Sequence, residues 1–144
     1  MAEEKKIVSF RDLEVYQRSY NASIAIMTKI LPKLPDSEKY DLNDQLSRSS
    51  KAIPRLIAEG YAKRHQRQGF QKYLDDAMAE CNETVVSLSQ CKDIYAKYIN
   101  CELCEELVKD YDILGRQLYR LAESWSKFKN NKHQLPCPTT KPAS

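Results

Sequence analysis

Glycine is scarce in this sequence, three residues in 144, and no Gly-, Asn- or Asp-rich turns recur at strand spacing. An all-β domain is therefore not expected. No apolar run approaches the roughly 18 residues of a membrane span, and no charged-then-apolar leader opens the chain. The expectation is a cytoplasmic protein with no membrane partner. Histidine is scarcer still: His65 and His133 are the two in the chain, and no Asp or Ser constellation is placed to use either, so no catalytic residue is assigned. The carboxylate of Glu59 reads as a structural partner for Arg48 or Arg55.

Five cysteines are too many to ignore and an odd number. They are spread along helical patterns rather than set at framework spacing, which points to reduced thiols in a cytoplasm. Cys101 and Cys104 form a C-x-x-C, but structural zinc takes four ligands, and Cys81 and Cys91 are spaced wrongly for a second pair. The βαβ setting of thioredoxin-like chemistry is missing, as is the Glu-x-x-His of a di-iron bundle. No metal and no cofactor is assigned.

What the chain does have is helical periodicity. Charged residues make up 30% of it, interleaved with apolar positions three and four apart. Ser9 with Asp12 can open a first helix as a capping box. Leu13, Tyr16, Tyr20, Met27, Leu31 and Leu34 mark one face of it, widened by Ile24. A second apolar row, Val15, Ala22, Ile26 and Ile30, is more than a lone surface helix needs and is expected to form an oligomer interface. Pro32 and Pro35 close this helix, and Asp36 or Ser37 can cap the next, which runs to about Tyr61.

The third helix carries Phe70, Leu74, Ala77, Cys81, Thr84, Leu88, Cys91, Tyr95 and Tyr98 in heptad spacing. The fourth, after Asn100, carries Cys104, Leu107, Tyr111, Leu114, Leu118, Leu121, Trp125 and Phe128. Four such segments with short connections predict an all-α fold, an antiparallel up-down-up-down four-helix bundle. It spans residues 9–129, with a loose arm at 1–8 and a proline-bearing tail at 130–144 expected to be disordered.

The most unusual stretch is residues 47–70. Arg48, Lys51 and Arg55 flank its apolar face, Pro54 lies inside the pattern where it should bend or break the helix, and residues 63–72 contain no acid. The net charge of +3 is mild, but the predicted topology gathers cations at one end. Lys63, Arg64, Arg67 and Lys72 would meet Arg116, Arg120 and Lys127, with Lys5, Lys6 and Arg11 nearby. Acids such as Asp36, Glu38, Glu102 and Glu105 collect at the other end. With Tyr61, His65, Phe70 and three glutamines interleaved, the basic pole reads as a nucleic-acid surface, for RNA or DNA. Arg48, Lys51, Arg55, Lys63, Arg64, Arg67, Lys72, Arg116, Arg120 and Lys127 are the candidate contacts. The competing reading is a protein-interaction scaffold that presents either pole to another protein.

Residues 10–17 and the run Ile53-Pro54 … Ile57-Ala58-Glu59-Gly60, followed by Phe70 and Leu74, carry a resemblance. Phe10, Leu13, Val15 and Tyr16 fit an F-x-x-L-x-V/A-W/Y entry, and the I-A-E-G run is the most specific part. The sequence resembles the four-helix bundle proteins encoded in intervening sequences of bacterial 23S rRNA genes. That family is similar in turn to the accessory variability determinant of diversity-generating retroelements. Leu56 stands where the family usually has Asn, and Gly69 where an acid is common. The resemblance implies a homopentameric ring and, in the retroelement version, a reverse transcriptase as partner.

Overall fold

A computed structural model describes the backbone of residues 6–134 and side chains as far as residue 127. Lys5, the side chains of Phe128 and His133, and residues 135–144 lie outside the described part. The described chain is all helical. Its four α-helices are α1, Glu14–Ala25; α2, Leu42–Ala62; α3, Gly69–Ile94; and α4, Cys101–Gln134. α4 thus continues past residue 129, where the bundle was expected to end. No strand occurs among the described residues.

Short turns join and extend these helices. Ser9 caps a 3-10 turn at Phe10–Asp12, its hydroxyl accepting from the Arg11 amide while Asp12 returns to the Ser9 amide, the expected capping box. α1 runs on through a π turn, Ile26–Ile30, and a 3-10 turn, Leu31–Lys33. Pro32 cannot donate to the ladder, and the widened turn lets Ile30 and Leu31, adjacent in sequence, both enter the core. The start of α2 is held by Glu38, whose carboxylate accepts from the Leu42 amide at 3.2 Å, and not by Asp36 or Ser37. At α4 the Asn100 side chain accepts from the Leu103 amide at 3.0 Å.

Each helix buries one stripe. Leu42, Leu46, Ile53 and Ile57 from α2 meet Phe70, Leu74, Ala77, Cys81, Leu88 and Cys91 from α3, and Cys104, Leu107, Tyr111, Leu114 and Leu118 from α4. The α3 and α4 seams follow the heptads from Phe70 to Cys91 and from Cys104 to Leu118, with Leu121 and Trp125 partly buried; Tyr95 and Tyr98 lie beyond α3, and Tyr98 is 59% exposed. α2 is continuous across Pro54, so of the expected bend or break the break does not occur. Only one donor is missing, toward the Ser50 carbonyl, and buried residues on both sides of Pro54 carry the helix through.

α1 departs most from expectation. The row assigned to an oligomer interface, Val15, Ala22, Ile26 and Ile30, is buried within the chain's own core, with Ile26 and Ile30 at 0% exposure. Ser19 and Ser23 complete that stripe, and their hydroxyls donate back to the Tyr16 and Tyr20 carbonyls, so each enters the core with its polar group satisfied. The face left outside is the other one. Tyr20 and Ile24 are nearly half exposed, and Tyr16 and Met27 are partly buried.

Polar links tie the stripes in register. Thr84 of α3 donates to the buried Ser49 of α2 at 2.9 Å. Tyr95 donates to Glu38. Arg18 of α1 pairs with Asp110 of α4 and donates to Gln117 at 3.2 Å, and Gln117 in turn donates to Glu14 at 3.1 Å.

Candidate nucleic-acid interface

The corner between α2 and α3 is built by close backbone approach. A Cβ on Gly60 would stand 2.7 Å from the Tyr73 Cβ, and one on Gly69 would stand 2.2 Å from the Lys63 carbonyl oxygen. Both positions therefore require glycine. Gln68, with φ 59°, turns the chain through the left-handed region just before α3. The turn closes through hydrogen bonds from the Gln66 amide to the Lys63 carbonyl and from the Gly69 amide to the Gln66 carbonyl. Phe70, 1% exposed, pins the corner to the core between Tyr61 and Trp125, edge-on to both rings.

Two of the corner's cations are braced by tyrosines. The Arg64 guanidinium lies 3.9 Å from the Tyr61 ring centroid and donates to the Tyr61 carbonyl at 2.7 Å. The Lys63 ammonium donates to the Tyr73 hydroxyl at 2.6 Å and lies 4.9 Å from that ring. The hydrogen bond to Tyr73 raises the Lys63 pKa, with Glu59 adding to the effect. Such stacking holds long side chains in fewer rotamers, so less entropy is lost when they meet a phosphate. Arg67, Lys72 and His65 are exposed on the same turn.

The other candidate cations do not all join this corner. Arg116 and Arg120 line a cleft with Met78 and Asn82, about two or three helical turns along α3 from Phe70. Lys127 is exposed near the end of α4, two residues beyond Trp125, which packs on Phe70. Lys51 and Arg55 border a different patch, with Phe10, Tyr16, Tyr20, Ile24, Met27 and Pro54. Arg48 pairs with Asp44 at 3.5 Å and acts against the raised pKa of Glu80, which burial and Glu83 push up. It lies about 22 Å along α2 from Lys63. Glu59 is exposed, and its charge helps to raise the Lys63 pKa.

Among the described residues no group of three or more His, Cys, Asp or Glu is placed to hold a metal. Cys81, Cys91 and Cys104 are buried free thiols. Burial pushes the first two up to about 12 and the third up to about 11. Cys101 is partly exposed and donates weakly to the Ala96 and Ile99 carbonyls.

Residues 11–120 match the family described as 23S rRNA-intervening sequence protein. The chain belongs to that family. Among solved structures it is similar to a protein of unknown function from the S23 ribosomal protein family of Bacteroides thetaiotaomicron, with TM-score 0.64 and 24% identity. That match covers 75% of this chain and 97% of the other, and it shows a shared fold. Among curated proteins none matches the chain. No helix among the described residues is long and apolar enough to cross a membrane.

In this family member the I-A-E-G glycine has a physical reason, the passage of α3 over Gly60. Tyr73, which braces Lys63, escaped the sequence reading because it falls outside the heptad seam. Its signal was proximity: it lies one turn after Phe70 and faces the glycine. The exposed row Tyr16, Tyr20, Ile24 and Met27 was visible as a row but had been given to the core.

Proposed function

We propose that this protein is a non-enzymatic, oligomeric accessory protein of the cytoplasm that binds RNA or DNA phosphates through the α2–α3 corner. The observation that carries this reading is an acid-free turn with two cations held by tyrosines, Lys63 hydrogen-bonded to the Tyr73 hydroxyl and Arg64 stacked on Tyr61, beside exposed Arg67 and Lys72. Membership of a family named for an rRNA-gene intervening sequence favours a nucleic-acid setting. An antiparallel up-down-up-down course is supported by contacts that pair Ser49 with Thr84, Glu38 with Tyr95 and Arg18 with Asp110. From Glu38 to Ser49 residue numbers rise as their partners fall from Tyr95 to Thr84, and from Glu14 to Arg18 they rise as their partners fall from Gln117 to Asp110.

Self-association would use the row Tyr16, Tyr20, Ile24 and Met27, where Tyr16 and Tyr20 stack at 5.8 Å. The ring of five and the reverse transcriptase partner belong to this proposal through the resemblance to retroelement accessory proteins. The competing reading, a protein scaffold, is separated by filter binding of structured RNA. Affinity should fall steeply between roughly 50 and 200 mM salt. Changing Lys63, Arg64 and Arg67 together to Glu should weaken binding more than about tenfold and flatten the salt slope. Equal affinity of this variant and the wild type at both salt concentrations would overturn the reading.

A further inference from the structure

Gly115 differs from the other two glycines. A Cβ there would meet nothing within 4 Å, and its φ is not positive. Neither turn nor packing requires glycine, although a glycine inside a helix lowers its stability relative to alanine. What the missing side chain does is leave open a cleft of about 350 Å³ between α3 and α4. Tyr111, one turn before it, also lines this cleft. The Tyr111 residue is 1% exposed, and its hydroxyl is buried with no hydrogen-bond partner among the described residues. The hydroxyl is sealed from solvent, so Tyr111 gives the cleft an apolar floor and not a hydrogen bond.

The cleft is graded in charge. Asp112, Arg116 and Arg120 follow one another at one-turn spacing along α4, with Asn82 of α3 across from them. The Asp112 end repels an anion and accepts hydrogen bonds; the arginine end attracts an anion and can grip it with planar guanidinium forks. A ligand that fits both ends has a neutral, hydrogen-bonding ring at one end and a phosphate at the other. We propose that the cleft takes one unstacked nucleotide of a single-stranded segment, its base toward Asp112 and Asn82 and its phosphate on Arg116 and Arg120. Splayed-out bases of single strands are the usual targets of such pockets. Asp112 only accepts, so bases whose exocyclic amine offers two hydrogens are preferred over uracil or thymine, which offer the single N3–H.

This inference rests on the nucleic-acid reading above but uses a separate set of residues, so the two can fail separately. The test measures binding of the full chain to oligo(A), oligo(U), a hairpin duplex and free AMP by fluorescence anisotropy and competition. Gly115→Leu fills the cleft and changes no charge. It should weaken oligo(A) binding about tenfold, the cost of one bound base, and leave the duplex unaffected. Asn82→Ala, at an exposed position of α3, should weaken oligo(A) roughly three- to tenfold through the lost hydrogen bond. It serves where the leucine variant fails to fold. Wild-type oligo(A) affinity in a folded variant overturns the cleft while the corner reading stands. Equal binding of oligo(A) and oligo(U) overturns the base preference, and AMP binding as tightly as oligo(A) overturns the strand in favour of a free nucleotide. Failure of every nucleic acid to bind the wild type overturns both readings.

Discussion

Gly60 and Tyr73 are in contact across the α2–α3 corner, so closely that a Cβ on Gly60 would stand 2.7 Å from that of Tyr73. Neither atom is the end of a flexible side chain, so relief requires a backbone shift. Gly60→Ala is therefore expected to destabilise the protein by about 1–3 kcal/mol, the usual cost of overpacking. Gly115→Ala, where space is open, should do the reverse and stabilise by about 1 kcal/mol. Urea unfolding of the two variants checks both signs. Matching shifts would mean that the close approach at Gly60 is unimportant.

Thiol chemistry gives a second prediction. Cys81 and Cys91 are pushed up to about 12 and Cys104 up to about 11 by burial. At pH 8 iodoacetamide should modify the partly exposed Cys101 and spare these three, as read by peptide mass spectrometry. A pKa raised on folding means that the folded state holds its proton longer than the unfolded chain. These thiols therefore contribute fully below pH 9.0, and their contribution is lost as pH rises from 9.0 toward 12. Stability should decline across that alkaline window. Rapid labelling of Cys81 in the native protein would contradict its burial.

The α3 and α4 seams were legible because their core positions are mostly apolar and strictly spaced, from Phe70 to Cys91 and from Cys104 to Leu118, although Thr84 and Ser87 are buried on α3 as well. The core face of α1 was not, because Ser19 and Ser23 occupy it. A serine that donates to its own helix's carbonyl is cheap to bury, yet in the sequence it looks like a surface residue. The tyrosines of the opposite face look like core, although their rings can lie at a surface. The candidate cations were legible as residue types, but not in their grouping. Arg116 and Arg120 part from Lys51 and Arg55 only when helix rotation is known.

Pro54 supplies a third prediction. α2 passes through it unbroken, so replacing it restores a donor to the Ser50 carbonyl without changing the path. A helix-interior proline costs about 3 kcal/mol, and trimming its buried ring to alanine gives back about 1–2 kcal/mol. Pro54→Ala should thus stabilise the fold by about 1 kcal/mol and slightly increase the 222 nm ellipticity. A fall in melting temperature would show that the ring's packing against the Tyr16–Tyr20 patch outweighs the missing hydrogen bond.

The two faces of α1 make opposite predictions for the same substitution. Ile26 is 0% exposed, whereas Ile24, two residues earlier, is 46% exposed beside Tyr20. An Asp at Ile26 would place a carboxylate in the core with no cation to pair it, and burying an unpaired charge costs more than a domain of this size can spare. Ile26→Asp is expected to unfold the chain outright, with loss of the helical circular dichroism signal. Ile24→Asp points into solvent in the single chain and should shift stability by no more than about 0.5 kcal/mol. Its effect should appear in assembly. If copies associate through the aromatic row, sedimentation of Ile24→Asp will show a folded monomer where the wild type sediments as a larger species. RNA affinity should then fall as well, since linked subunits act through effective concentration, about 10²–10⁴-fold for matched sites. A folded Ile24→Asp that sediments like the wild type would remove the aromatic row from the interface.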